Sequence, residues 1–374
     1  MNAMTAIGLM SGTSLDGVDA ALLRTDGESL LEPGPALHLP YPRDLKIVLR
    51  RAIKAALEGR DSAADIGRAG ADVTEAHVAA VRRLLEQAGL APEAVDIIGF
   101  HGQTILHRSA PSPGSCGRTW QVGSGLVLAR ETGIDVVNDF RRADVEAGGE
   151  GAPFAPVYHG ALARGLARKG AVGVLNLGGV ANITFAPEGG DPLGLVAFDC
   201  GPGNGLLDEW ALLKTGESMD KDGALAQSGR VHKEILRLML KNPYFERRPP
   251  KSLDRYDFKL DPVLPLSAAD GAATLTAFTA ACVRASEGFL PEPPATWIAC
   301  GGGRRNPALM RAISTALETE ILAAEDAGWR GDDLEAECFA YLAVRSIRNL
   351  PLSFPKTTRV PRPMTGGVLH RAPR

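Results

Sequence analysis

The chain has 374 residues, 45% hydrophobic and 23% charged, with a formal net charge of -3. These values fit a globular protein long enough for two domains with cores, and they give no electrostatic case for nucleic acid. Five cysteines (Cys116, Cys200, Cys282, Cys300 and Cys338) form no CxxC pair, which argues against a zinc knuckle or a disulfide framework.

Apolar spacing predicts two strands between Thr5 and Leu23, joined by the turn Ser11-Gly12-Thr13-Ser14-Leu15-Asp16-Gly17, and a third strand near Leu37–Leu39. Helices are predicted for 43–57 and 64–87, the latter ended by Gly89 and Pro92. A buried strand over 95–100 runs into a polar turn, His101-Gly102-Gln103-Thr104. A short strand at 120–122, a helix over 125–131 and a strand over 134–137 follow, opening into Asn138-Asp139-Phe140-Arg141-Arg142-Ala143-Asp144. After a Gly/Glu loop at 146–151 comes a helix over 157–167. Strands at 171–177, 181–185 and 195–198 then repeat the opening theme. Further helices are predicted at 205–213, 233–240, 272–288 and 334–348, with a strand at 296–300. The segment 244–265, rich in Pro and basic residues, reads as a surface excursion. Two α/β halves are expected, 1–150 joined by the tail 351–374, and 151–350.

No P-loop, protein-kinase signature, GxSxG elbow or HExxH helix is present, and Gly201-Pro202-Gly203 does not complete a dinucleotide fingerprint. Instead, four glycine- or hydroxyl-rich turns follow apolar strands: 11–17, 178–179, 199–204 and 301–303. One such turn is an ordinary hairpin, but four fit a cleft where backbone approaches a polyphosphate. In the first, amides and hydroxyls suit anionic oxygens and Asp16 suits a magnesium ion. Asp199, at a strand end beside Gly and Pro, can act as a general base, or equally as the cap of the helix near Gly205. Arg141 could clamp an anion while Asn138 and Asp139 bind sugar hydroxyls, or Arg141, Arg142 and Asp144 could form a surface ion-pair network. His101 carries no expected proton-transfer role. Glu335 and Glu337 suit a helix dipole.

The stretch GLMSGTSLDGVDA at 8–20 resembles the opening of the anhydro-N-acetylmuramic acid kinases, within the actin, sugar kinase and heat-shock ATPase superfamily. HGQT at 101–104, QVGSG at 121–125, NDFR at 138–141, NLGGVANIT at 176–184, FDCGPGN at 198–204, CGGGRRN at 300–306 and EAECFAYLA at 335–343 extend the match along almost the whole chain. The resemblance implies a two-domain actin-like (ribonuclease H-like) α/β fold, each domain a mixed five-stranded sheet flanked by helices. It implies ATP and Mg²⁺ as cofactors and a sugar substrate, 1,6-anhydro-N-acetylmuramic acid, opened by water and phosphorylated on O6 for peptidoglycan recycling. Residue by residue, Asp199 is the implied base and Glu335 a partner orienting the water. Ser11, Gly12, Thr13, Ser14, Leu15, Asp16, Gly17, Gly178, Gly179, Gly301, Gly302 and Gly303 would border the nucleotide, with Asp16 toward Mg²⁺. His101, Gln121, Asn138, Asp139, Arg141 and Asp199 would meet the sugar. Cys200 stands where the family pattern has Thr. A homodimer is implied, and, with neither a signal-peptide pattern nor a membrane-length apolar run, a cytoplasmic location. The competing expectations are a superfamily kinase of another sugar or carboxylic acid without ring opening, and a nucleotide-dependent chaperone-like switch.

Overall fold

Apolar alternation in the first forty residues builds three antiparallel strands, β1 (Met4–Ser11), β2 (Gly17–Thr25) and β3 (Leu31–Pro40). They belong to a computed structural model that describes residues 2–108, 117–253 and 257–373. β4 (Ile97–Arg108) lies parallel to β1, and β6 (Val136–Asn138) parallel to β4. β5 (Arg118–Val122) folds back on β4, and a last strand, Val368–His370, lies antiparallel beside β6. The first sheet therefore has seven strands where five are expected. The extra two are β5 and the Val368–His370 strand, the latter too short to show alternation.

The second sheet has five: β7 (Val172–Leu177), β8 (Val180–Ala186), β9 (Val196–Pro202), β10 (Thr296–Cys300) and β11 (Ile321–Ala323). Its order, β9-β8-β7-β10-β11, repeats β3-β2-β1-β4-β6, with the same two antiparallel and two parallel pairings. This doubled plan, flanked by helices, is the actin-like α/β fold.

The helix Arg43–Leu57 forms where Leu45, Val48, Leu49, Ala52, Ala55 and Ala56 recur at helical spacing and bury one face. With Ala64–Ala88, ended by a left-handed Gly89, it covers one face of the first sheet. Against the same sheet packs Leu334–Ile347, an Ala-rich helix buried along nearly its whole length. Its seat is made by two glycines that face each other in register, Gly8 on β1 and Gly99 on β4. A Cβ at Gly8 would lie 1.7 Å from the Ala336 carbonyl oxygen, and one at Gly99 would lie 1.9 Å from that of Phe339. Only bare backbone lets the helix approach so closely.

The described chain divides into two units, Leu166–Asp332, and Met1–Gly165 together with Asp333–Arg374. The dividing lines fall at Gly165 and Asp333 rather than at 150 and 350. The first unit thus keeps the helices Ala155–Arg164 and Leu334–Ile347, the second of them held by its glycine seat. No helix among the described residues is long and apolar enough to cross a membrane.

Candidate active site

In the first unit, the tip between β1 and β2 is braced from within. Leu15 takes φ 57° and buries its side chain in the core, so only its backbone remains at the tip. Ser11 is buried and donates its hydroxyl to the Gly102 carbonyl at 3.0 Å; Ser14 donates to Asp16 Oδ1 at 2.8 Å. Gly17 N–H donates to the same Asp16 oxygen at 3.0 Å. Two of the three hydroxyls are therefore spent on the turn, leaving exposed Thr13, the Gly12 backbone and the exposed Asp16 carboxylate as the outward-facing groups. Fully buried Gln103 pins the tip by donating to the Gly12 carbonyl at 2.9 Å. Behind it, burial pushes the Asp19 carboxyl up, and His38, 2.7 Å away, opposes that.

The His101–Thr104 segment is not a turn. β4 runs through it to Arg108, and Gly102 bends the strand at φ 73°, where a Cβ would meet the Val122 carbonyl oxygen at 2.7 Å. That course delivers His101 into a mainly polar pocket of about 320 Å³, shared with Gln121, Asn138, Asp139, Arg142 and His370. Four of the residues expected to meet the sugar (His101, Gln121, Asn138 and Asp139) thus line one cavity, of a size suited to a small polar ligand. Asn138 is fixed by His370, 2.9 Å away. His370 was not foreseen, because its three-residue strand carries no periodic signal. Asp139 adopts φ 57°, a conformation costing of order 1 kcal/mol or more that gathers at binding sites. Burial raises its carboxyl, against Arg142 at 2.8 Å.

The surface network of Arg141, Arg142 and Asp144 does not form. Arg141 turns inward, with Nε and one terminal nitrogen donating to His101 Nε2 at 3.1 and 3.0 Å, and the other donating to the Gly151 carbonyl at 2.7 Å. An imidazole nitrogen that accepts from a guanidinium cannot carry a proton. Burial and Arg141 accordingly hold His101 well below the usual histidine range. His101 is a neutral wall of the pocket and no acid.

Glu335 opens the Leu334–Ile347 helix. It keeps solvent access, yet it sits deep enough that burial pushes its carboxyl up; Asp19 and Asp16 add to the rise and Arg141 opposes it. These couplings place Glu335 among the hairpin acids and Arg141. Glu337, in the same first turn of the helix, is wholly buried and accepts the Tyr158 hydroxyl at 2.7 Å, a structural tie.

In the second unit three glycine turns interlock. Gly203 and Gly205 N–H donate to the Gly179 carbonyl at 3.0 and 3.1 Å, and Asn204 N–H to Gly178 at 2.7 Å. A Cβ on Gly303 would meet Asn204 Oδ1 at 2.2 Å, and one on Gly301 would meet Asn176 Oδ1 at 2.3 Å. Space is open above Gly179, and Asn204 Oδ1 is buried with no hydrogen-bond partner. Arg304 anchors the 301–303 turn, donating to the Gly301 carbonyl at 3.0 Å and pairing with Glu325 and Asp332 at 2.6 and 3.0 Å.

Asp199 lies inside β9, which continues to Pro202 past a register shift against β8. It does not cap the Gly205–Thr215 helix. The supposed surface excursion straps it down: Asp199 N–H donates to the Lys251 carbonyl at 3.0 Å, and Leu253 N–H to Asp199 Oδ2 at 2.8 Å. The Tyr244 hydroxyl donates to the Asp199 carbonyl at 2.5 Å. Tyr244 and Lys251 are buried, and the Lys251 ammonium lies 5.7, 4.6 and 4.4 Å from the ring centres of Phe198, Tyr244 and Phe289. Cys200 gives its thiol to the Ala181 carbonyl at 3.2 Å, pointing into the core. Composition hid the strap: the run Arg247-Arg248-Pro249-Pro250-Lys251 suggests solvent, although Tyr244 and Phe245 signal burial.

A family model described as anhydro-N-acetylmuramic acid kinase matches residues 4–372. The anhydro-N-acetylmuramic acid kinase of Rhodospirillum rubrum is 51% identical over 366 residues, covering 98% of this chain and 94% of the relative. That of Rhizorhabdus wittichii is 52% identical over 373 residues, covering 99% and 100%. Among solved structures, the activator of the 2-hydroxyisocaproyl-CoA dehydratase from Clostridium difficile aligns over 92% of this chain and 96% of its own. That pair shares 12% identity and a TM-score of 0.46.

Proposed function

As a member of the anhydro-N-acetylmuramic acid kinase family, the chain is a kinase, and we propose that it converts 1,6-anhydro-N-acetylmuramic acid, water and ATP into N-acetylmuramic acid 6-phosphate and ADP, within peptidoglycan recycling. The observation that carries the reading is the polar pocket of about 320 Å³ that gathers His101, Gln121, Asn138 and Asp139 in a chain matched to the family from end to end.

In this reading Asp199 takes a proton from the water as the water's oxygen bonds to the anomeric carbon. The bond from that carbon to O6 breaks, and O6 takes the γ-phosphoryl group, so the leaving oxygen gains phosphorus in place of a proton. The strap from Tyr244 to Leu253 supports the base assignment, because it fixes Asp199 through its amide, its carbonyl and one carboxylate oxygen. Glu335 would orient the attacking water. Phosphoryl transfer leaves the protein mainly positioning and charge neutralisation, which suits backbone turns. The open space over Gly179 and the orphaned Asn204 Oδ1 fit a nucleotide group. For magnesium, the exposed Asp16 fits the usual demand for one or two carboxylates plus phosphate oxygens, and the ion would supply charge neutralisation on the phosphates. A cytoplasmic homodimer completes the proposal, and light scattering would read twice the monomer mass.

Asp199→Asn tests the base. It is expected to bind ATP and sugar with near-normal affinity and to lose about 10²–10⁴ in kcat, the range of general-base catalysis. Wild-type product formed in ¹⁸O-water should carry the label at the anomeric carbon. Unlabelled product, or normal turnover by the variant, overturns the reading.

A further inference from the structure

Asp144 is 1% exposed and enters no ion pair among the described residues. A buried carboxylate is costly where hydrogen bonds and nearby positive charge do not compensate it; burial pushes the Asp144 carboxyl up, and the Arg141 guanidinium opposes that rise. What the carboxylate obtains is hydrogen bonding from a loop wrapped around it. Gly151 N–H donates to Oδ1 at 2.7 Å, and the Thr358 hydroxyl donates to Oδ2 at 2.6 Å. The wrap is tight: a Cβ on Gly149 would sit 2.2 Å from Asp144 Oδ1, and Gly151 takes φ 72° with its Cβ position 2.6 Å from Val145. Glu150 N–H donates to the Thr358 carbonyl at 2.6 Å, so the 355–358 turn clamps the loop from the other side.

From this loop the Gly151 carbonyl reaches Arg141, accepting from its guanidinium at 2.7 Å, while Glu150 pairs with Arg359 at 3.1 Å. The opposite edge of the guanidinium rests on His101, and Phe154 stacks at 5.5 Å. We propose that Asp144 is a positioning residue for Arg141: through the Gly151 peptide it aims the guanidinium that holds the His101 wall of the sugar pocket. The path runs Thr358 hydroxyl, Asp144 carboxylate, Gly151 amide, Gly151 carbonyl, Arg141. The proposal rests on the reading that Arg141 serves the sugar site.

The test is a double-mutant cycle on the full-length enzyme with Asp144→Ala, Arg141→Ala and the pair, reading kcat, KM for each substrate, and Tm. A misplacement of about 1 Å in a positioned group costs up to about 100-fold, so Asp144→Ala is expected to lower kcat/KM for the anhydro sugar about 10- to 100-fold. KM for ATP should stay within about twofold, and the double variant should be no worse than Arg141→Ala, the signature of one pathway. Thr358→Val removes a single hydroxyl and runs the same cycle if Asp144→Ala fails to fold. Losses that multiply in the double variant, or that fall equally on ATP, overturn the proposal and leave Arg141's role standing. A neutral Arg141→Ala overturns both.

Discussion

Glu335 illustrates how a single carboxylate is tuned. Burial, Asp19 and Asp16 raise it, and Arg141 alone among its coupled neighbours lowers it. A raised carboxyl stays protonated to higher pH, so the acid limb of kcat/KM for the sugar should lie above the ordinary glutamate value near 4.5. Arg141→Ala removes the opposing charge and should move that limb further toward neutrality; Arg141→Lys, which keeps the charge, should move it less. A pH–rate profile of the three enzymes reads this, and an acid limb that stays put would separate Glu335 from the reaction. Lys251 shows the converse tuning: burial lowers its ammonium, while the three surrounding rings offer their electron-rich faces in place of water.

At the scale of elements, the Leu334–Ile347 helix carries Glu335 and depends on two missing methyl groups. Gly8→Val puts side-chain atoms where the Ala336 carbonyl now lies, so it should destabilise the fold by about 3 kcal/mol and depress activity with it. Chemical denaturation measures the first effect. Gly179→Ala is the contrast, since nothing lies within 4 Å of its added Cβ. The Arg43–Leu57 helix and the Thr296–Cys300 strand were legible in the sequence to the residue, because their apolar periods are uninterrupted and Pro or Gly marks their ends. The glycine-rich turns after β1, β7, β9 and β10 were legible too, as strand followed by glycine. The His101–Thr104 segment misleads because polar residues and Gly102 punctuate a strand that continues through it, with a register shift at His101 and Gly102 before pairing resumes at Gln103. Nothing local marks the short 142–146 helix or the Val368–His370 strand, the latter paired with β6 more than two hundred residues away. The inward course of Arg141 is equally invisible, being set by Gly151 and a histidine forty residues away.

For the whole molecule, buried histidines set the response to acid. Burial holds His77 and His159 at about 4, against an unfolded value of 6.5. Between those limits the unfolded chain binds protons that the folded chain refuses, so stability falls as pH drops from 6.5 toward 4. Each histidine contributes a loss of up to about 3 kcal/mol at 1.36 kcal/mol per unit, while raised carboxyls such as Asp144 and Glu335 act in the opposite sense. Thermal unfolding across that range should show the decline, and His77→Leu, which also removes the Val73 carbonyl's partner, should flatten it from a lower starting Tm.

The first unit is written in two pieces, with the second lying between them in the chain. A ribosome therefore finishes the entire second unit before it makes the helix that closes the first. Until residues 334–347 emerge, β1 and β4 have no cover over Gly8 and Gly99, and the apolar face of that sheet waits exposed. The doubled sheet plan thus gives two copies of one topology very different lives during synthesis. One can fold as it appears, and the other is a vulnerable intermediate for most of translation, the stage at which chaperones and proteases would find it.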